Sequence, residues 1–340
     1  MEFVAVPLED AEGHLLGHNI AGETGRRRFR KGRALTREDI DGLRALGRRS
    51  VYVAIFAPDD IAEDQAALRI AERLQRAKIR LSRPSTGRVN FYAEAPGLLR
   101  VDGSRLLALN QLDGITLATL PADTPIQPGR MVATLKIIPY ALPGGTVQDA
   151  ERLAGEADIL SLTPFREKRV GLVLSGSPAA RGRITAGFES ALIPRLTALQ
   201  GRLTSQDFIP LENPDDEALL AETIRRRCDE GLDLLILAGE TAIMDRFDIT
   251  PRAIERAGGQ VECFGAPVDP GNLLLLAYRG EIPILGAPGC ARSPKSNIVD
   301  WVLPRLLAGD RLSAGQIAAF GLGGLLEDVP ERPLPRSWLT

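Results

Sequence analysis

The sequence predicts an α/β protein, with an open, doubly wound sheet in its C-terminal half and an α+β, β-rich N-terminal region. Three observations predict it. The segments at 170–174, 234–237 and 282–285 are continuous apolar runs, the pattern of parallel strands buried on both faces. Helical patterns alternate with those runs, as in open α/β sheets. Ahead of residue 165, short β-branched segments are separated instead by Pro and Gly turns. The expected division is 1–165 for the N-terminal region, 166–310 for the α/β domain and 311–340 for a C-terminal extension. A linker-like boundary is expected between about 145 and 168, after the breaker Pro143-Gly144-Gly145.

Taken in order, Thr36 reads as the N-cap of a helix over 37–46, with Asp39 in a capping-box-like position. Residues 50–56 follow as a strand, by β-branched and aromatic content. A second helix is expected from Asp59 or Asp60 to Arg76, with Ala67, Ile70, Ala71 and Leu74 on one buried face. Strands are expected at 89–92, 98–101, 115–120 and 131–138. In the C-terminal half the first apolar run ends in Ser175-Gly176-Ser177-Pro178, ahead of a helix over 185–199. Asn213-Pro214 reads as the cap of a helix to Glu230. Thr250-Pro251 starts another, which Gly258-Gly259 ends. Ser293-Pro294 starts a last one, to about Leu307.

Composition narrows the chemistry. At 340 residues the chain suits two domains, and 44% hydrophobic with 25% charged residues argues against disorder and against a membrane class. The apolar run 273–278 is far short of a bilayer span. Glu2, Glu9 and Asp10 at the start do not form a secretory signal pattern, and Cys228, Cys263 and Cys290 are too widely spaced for a CxxC pair. A cytoplasmic protein is the expectation. His14 and His18 are the only histidines, which argues against a His-rich metal site or an ordinary Ser-His-Asp triad. Carboxylates, backbone amides, Arg, Lys or a cofactor must then carry the chemistry.

Ligands of open α/β sheets lie beyond the carboxyl ends of strands. Three such ends carry small residues here: Ser175-Gly176-Ser177, Gly239-Glu240-Thr241-Ala242 and Pro288-Gly289-Cys290-Ala291. Glycine lets a ligand approach the backbone, and free N–H groups favour phosphate. Asp245, Arg246 and Asp248 follow the second loop; Arg292, Ser293 and Lys295 follow the third. Arg and Lys suit phosphate, whereas Asp suits Mg²⁺ or the amino groups of a heterocycle. Each loop alone reads as a turn; three at successive strand ends read as a small-anion site. Asp269-Pro270-Gly271-Asn272 has turn chemistry by composition, and would present Asp269 and Asn272 if functional. Cys290, at an expected helix start where thiol pKa falls, reads either as a ligand to a dithiolene or metal or as packing.

These residues resemble the molybdopterin-binding domain family of molybdenum cofactor biosynthesis. The resemblance rests on the segments 242–248, Gly258-Gly259, 264–274 and 288–295, with Val268-Asp269-Pro270-Gly271-Asn272 and Pro288-Gly289-Cys290-Ala291-Arg292 the most specific. It is nearest to a divergent bacterial branch associated with molybdenum cofactor cytidylyltransferases. Phe29-Arg30-Lys31-Gly32-Arg33, Glu63-Asp64-Gln65-Ala66-Ala67, Thr86-Gly87-Arg88-Val89-Asn90 and Lys136-Ile137-Ile138-Pro139 extend it toward the N-terminus. The resemblance implies a pterin site over 238–248 and Pro288-Gly289, with Asp245 at an acidic position that serves nucleotide transfer or Mg²⁺ in relatives. It also implies a homo-oligomer, and a cytidylyltransferase or client molybdoenzyme as partner. Glu240 departs from the family, placing negative charge where phosphate would be cradled. Like charges in contact cost about 1–4 kcal/mol, so Glu240 must point away or bind a cation.

The leading expectation is therefore a protein that binds molybdopterin or molybdenum cofactor during maturation or delivery. The second is an enzyme for Mg²⁺-dependent nucleotidyl transfer or molybdate insertion, with Asp245 and Asp248 holding the metal. The third is a nucleic-acid-binding or regulatory protein using the basic run 26–33. A net charge of −2 argues against that, and leaves the run as a solvated loop or hairpin turn. Glu63 and Asp64 read as acids complementing a helix dipole.

Overall fold

The computed structural model describes residues 1–326 apart from 212 and 214, so the expected Pro214 cap and the end of the 311–340 extension lie outside the described residues. The chain is mixed α/β with several sheets and forms two compact units. One comprises residues 1–95 and 99–162; the other comprises 96–98 and the residues from 163 onward.

In the N-terminal unit, strand Ser50–Ile55 is flanked by Glu2–Pro7 and Leu15–Leu16. Helix Arg37–Ala45 carries the expected capping box: the Asp39 amide donates to the Thr36 hydroxyl, and the Asp39 carboxylate accepts from the Thr36 amide. Its Ile40 and Leu43 bury against Val51, Val53, Leu16 and Phe29. A four-stranded sheet runs Ile115–Thr119, Met131–Ile137, Arg88–Ala93, Ile79–Leu81. Helix Glu63–Leu74 packs Ala67, Ile70, Ala71 and Leu74 into the same core as Val89, Phe91 and Leu135. It starts later than expected because Asp60–Ala62 pairs as a strand with Ala141–Pro143.

The expected linker after Pro143 is instead helix Gly144–Glu156 followed by strand Leu160–Pro164. The Pro-Gly-Gly signal marks the helix start, and Val147, Ala150 and Ala154 form the apolar stripe that buries it.

The C-terminal unit is built on a six-stranded sheet. Its order is Gly201–Pro210, Lys168–Gly176, Leu234–Gly239, Ile282–Gly286, Leu275–Arg279, Gln260–Phe264. The first four strands pair in parallel and the last two antiparallel. Alternate residues explain the unbroken apolar runs. Leu172, Leu174 and Ile236 join a cluster with Phe188, Leu192, Val302 and Leu306, whereas Val173, Leu235 and Leu237 join one with Leu220, Ile224 and Ile254. The helices supplying these residues are Arg181–Ala198, Val299–Leu307, Asp216–Asp229 and Ile249–Arg256. The last long helix starts at Val299 rather than 293; just ahead of it the Asn297 side chain accepts from the Val299 amide at 3.0 Å. Among the described residues no helix is long and apolar enough to cross a membrane.

Candidate functional site

The three small-residue loops lie side by side, because their strands are neighbours in register. Ser175 is level with Gly239, and Leu237 with Gly286. The Glu240 amide donates to the Ser175 carbonyl at 2.8 Å, and the Ala287 amide to the Leu237 carbonyl at 2.8 Å. The 269–272 loop joins the same edge, since Leu275, just beyond it, pairs with Gly286.

At the first two loops the Glu240 carboxylate accepts from the Ser177 amide at 3.0 Å and hydroxyl at 2.9 Å, and pairs with Arg183 at 2.9 Å. The Ser177 hydrogen bonds, aided by Arg183, hold its pKa below the usual carboxylate value. Glu240 has thus found its cation within the chain. Gly176, at φ 152°, makes this possible: a Cβ there would stand 2.7 Å from that of Glu240. Beneath, Ser175, Gly239, Thr241, Ile243 and Ala287 enclose about 20 Å³, room for one water.

Ala242 opens the segment that leads to helix Ile249–Arg256. There the Asp245 carboxylate accepts from the Phe247 amide at 2.7 Å, and Asp248 accepts from the Met244 and Ile249 amides at 3.1 and 2.7 Å. Both acids shape the turn. Among the described residues no group of three or more His, Cys, Asp or Glu is placed to hold a metal.

The 269–272 loop is tightly fixed. Gly271 has φ 140°, and a Cβ on it would come 2.3 Å from Ile298 Cγ2. The Ile298 amide donates to the Pro270 carbonyl at 3.2 Å, and the Leu326 amide to the Asp269 carbonyl at 2.9 Å. Asn272 is exposed.

In the third loop Pro288 is buried, residues Gly289–Arg292 form a 3₁₀ turn, and Arg292 lies over the Phe188 ring at 5.5 Å. The segment beyond Arg292 is braced by two residues that no local pattern singles out. Arg195 donates to the Ser293 and Lys295 carbonyls at 2.9 and 3.0 Å and pairs with Asp300 at 2.8 Å. Asn297, 1% exposed, donates to the Cys290 and Lys295 carbonyls at 3.2 and 3.0 Å. The expectation of a lowered Cys290 pKa is corrected: burial pushes the thiol up, and four residues of 3₁₀ turn give little dipole to oppose it.

The N-terminal unit holds a larger cavity that sequence reasoning does not assemble. It measures about 1080 Å³ and is lined by the basic run at Arg27, Arg30 and Lys31 together with Glu63, Thr86 and Lys136. Glu63 pairs with Lys136 at 3.1 Å, and Asp64 accepts from the Gly87 amide at 2.5 Å. These acids therefore have specific partners besides the helix dipole. The run and these motifs lie some thirty to a hundred positions apart, which hides the cavity from any local pattern.

A protein-family profile described as a domain of unknown function (DUF8806) matches residues 5–55. A search of curated proteins gives no match. Among solved structures, the chain is similar to a molybdenum cofactor biosynthesis protein from Pyrococcus furiosus, at 13% identity and a TM-score of 0.23, over 94% of this chain and 65% of that one. It is also similar to the molybdopterin biosynthesis moea protein from Pyrococcus horikosii, at 14% identity and a TM-score of 0.30, over 94% of this chain and 77% of that one. The chain spans just under two thirds of the length of the first of these.

Proposed function

We propose that the protein binds molybdopterin or the molybdenum cofactor at the carboxyl edge of its C-terminal sheet, which we read as an open, doubly wound, molybdopterin-binding-like arrangement. The observation that carries this reading is the adjacency of the Ser175, Gly239, Asp269 and Pro288 loops along one edge. The motif resemblance of the same loops names the ligand. Arg292, Ser293 and Lys295 would hold the phosphate, from a segment braced by Arg195 and Asn297. Asp269 and Asn272 would meet the amino groups of the pterin ring. The enclosed space of about 20 Å³ is too small for a pterin, so the ligand lies across the loops rather than beneath them. When bound, the cofactor supplies the dithiolene that carries the metal; the chain's residues bind and orient it.

Nucleotidyl transfer or molybdate insertion is the second reading. The engagement of both Asp245 and Asp248 by backbone amides favours binding over it. Acid-iodine oxidation of protein purified from a molybdenum-replete host, followed by pterin fluorescence, tests the proposal. The expected result is released pterin, together with titratable binding that falls in an Arg292→Ala/Lys295→Ala variant and no turnover of ATP or CTP. Neither released pterin nor titratable binding would refute it.

A further inference from the structure

We propose that the N-terminal unit carries its own binding site for a small phosphorylated compound with a planar ring, in the cavity of about 1080 Å³ lined by Arg27, Arg30 and Lys31. The volume lies just above the roughly 300–1,000 Å³ typical of small-molecule sites.

The cations are the first observation. Among the described residues Arg27, Arg30 and Lys31 have no ion-pair partner, whereas the other basic residues of the lining are committed, Arg33 to Asp39 and Lys136 to Glu63. The segment bearing them is fixed by its backbone: the Lys31 amide donates to Asn19 Oδ1 at 2.9 Å and the Gly32 amide to the Leu16 carbonyl at 2.8 Å. Asp64, held by the Gly87 amide, also lines the cavity; set against it, the three cations still leave an excess of positive charge around the concavity, which is what a phosphate needs.

The rings are the second. Phe3 lines the same cavity and stays 41% exposed, with His18 edge-on at 5.3 Å and Tyr52 stacked against it at 5.7 Å. Gly17 leaves the room for this, since a Cβ there would come 2.6 Å from the Phe3 ring. Across the lining, the Tyr140 hydroxyl donates to the Gly17 carbonyl at 2.9 Å. An exposed, well-supported ring lining the same cavity as unpaired cations suits stacking of a flat heterocycle whose phosphate reaches the arginines. The lining also carries the Lys136–Glu63 pair, which packs against Gly87, at φ 71°, where a Cβ would stand 2.6 Å from the Glu63 carboxylate and 2.8 Å from Lys136 Nζ. Its concave form favours a small molecule over a polynucleotide, which the basic run alone would equally suit.

Isothermal titration of the full chain at low salt, with ATP, CTP and inorganic pyrophosphate as probes, tests the site. The expected result is saturable binding of a nucleotide, tighter than that of pyrophosphate. Combined Arg27→Ser, Arg30→Ser and Lys31→Ser substitutions weaken it about ten-fold or more, and Phe3→Ala removes the advantage of nucleotide over pyrophosphate. Unchanged thermal melting of these variants shows that they fold. Arg292→Ala/Lys295→Ala leaves the binding intact, which separates this site from the one on the C-terminal sheet. Wild-type protein that binds none of the probes overturns the proposal, as does a triple variant that binds like wild type. Tighter binding of a single-stranded oligonucleotide, with affinity that grows with its length, also overturns it in favour of a polynucleotide surface.

Discussion

The carboxylate of Glu240 accepts from the amide and hydroxyl of Ser177, at 3.0 and 2.9 Å, so the chain's own anion occupies the donors of the first loop. Its pKa is lowered, so it is charged at neutral pH. Glu240→Gln is expected to tighten binding of inorganic phosphate or of the oxidised pterin phosphate. Removing a like charge from the loop edge should raise affinity for the anion several-fold. Calorimetric titration of both proteins at equal ionic strength checks it; identical affinities would make Glu240 a loop cap alone.

Gly271 admits no side chain. Gly271→Ala is expected to destabilise the C-terminal unit by about 1–3 kcal/mol, the cost of overpacking, with backbone strain at φ 140° added. Urea denaturation measures the loss. Adding Ile298→Ala removes the Cγ2 that the new Cβ would meet at 2.3 Å but keeps the Cβ at 2.5 Å, so the double variant should lose somewhat less than the sum of the singles without recovering fully.

Arg195→Lys should keep the charge and lose the function. Lysine cannot reach Asp300, the Ser293 carbonyl and the Lys295 carbonyl together, as the guanidinium fork does. We expect about 1–3 kcal/mol of destabilisation, and pterin affinity reduced even at temperatures where the variant is fully folded. Affinity unchanged in a folded variant would separate the brace from the binding.

All three cysteines should react slowly at neutral pH. Burial raises the thiol pKa of Cys228, Cys263 and Cys290 alike. Alkylation by iodoacetamide, followed by intact mass, is expected to be slow near pH 7.5 and to accelerate only above pH 9. Rapid modification of Cys290 at pH 7 would reinstate it as a reactive thiol.

Acid stability should depend on Asp207. Burial alone would raise its pKa, but the guanidiniums of Arg227, at 2.6 Å, and Arg226, at 2.9 Å, outweigh that and lower it. A carboxylate depressed in the folded state stabilises above its unfolded pKa, about 3.9, and that contribution disappears as pH falls through the folded value. Asp207→Asn is expected to cost about 1.5–3 kcal/mol at pH 7 and to flatten the loss of stability below pH 4. A denaturation series from pH 7 to 3 measures both.

What is legible in the sequence is what local pattern determines. The strands at 168–176, 234–239 and 282–286 show as unbroken apolar runs, and helix 37–45 shows as its capping box, because burial on two faces and N-capping each leave a short-range trace. Strand Gly201–Pro210 leaves no such trace: it pairs with one neighbour only and mixes Arg, Ser, Gln and Asp among its apolar residues. The hairpin of 260–264 and 275–279 is hidden as well, since Gln260–Phe264 mixes Gln and Glu among its apolar residues and ten residues, 265–274, separate its strands. At the candidate site the loops themselves are visible. Arg195 and Asn297 are not, because Arg195 acts across about a hundred residues and Asn297 looks like an ordinary loop amide. The rings and cations of the N-terminal cavity are likewise joined only by folding.

The bracing of the 293–297 segment also has a directional effect. A trans peptide is planar, with its C=O and the following N–H pointing in opposite directions. The Lys295 carbonyl is drawn toward Arg195 and Asn297, which turns the Ser296 N–H away from both. The Ser293 carbonyl is held by Arg195 too, but the next residue is Pro294, which has no N–H to aim. From a segment with two anchored carbonyls, the fold therefore directs a single amide outward, fixed in orientation by side chains on its far side.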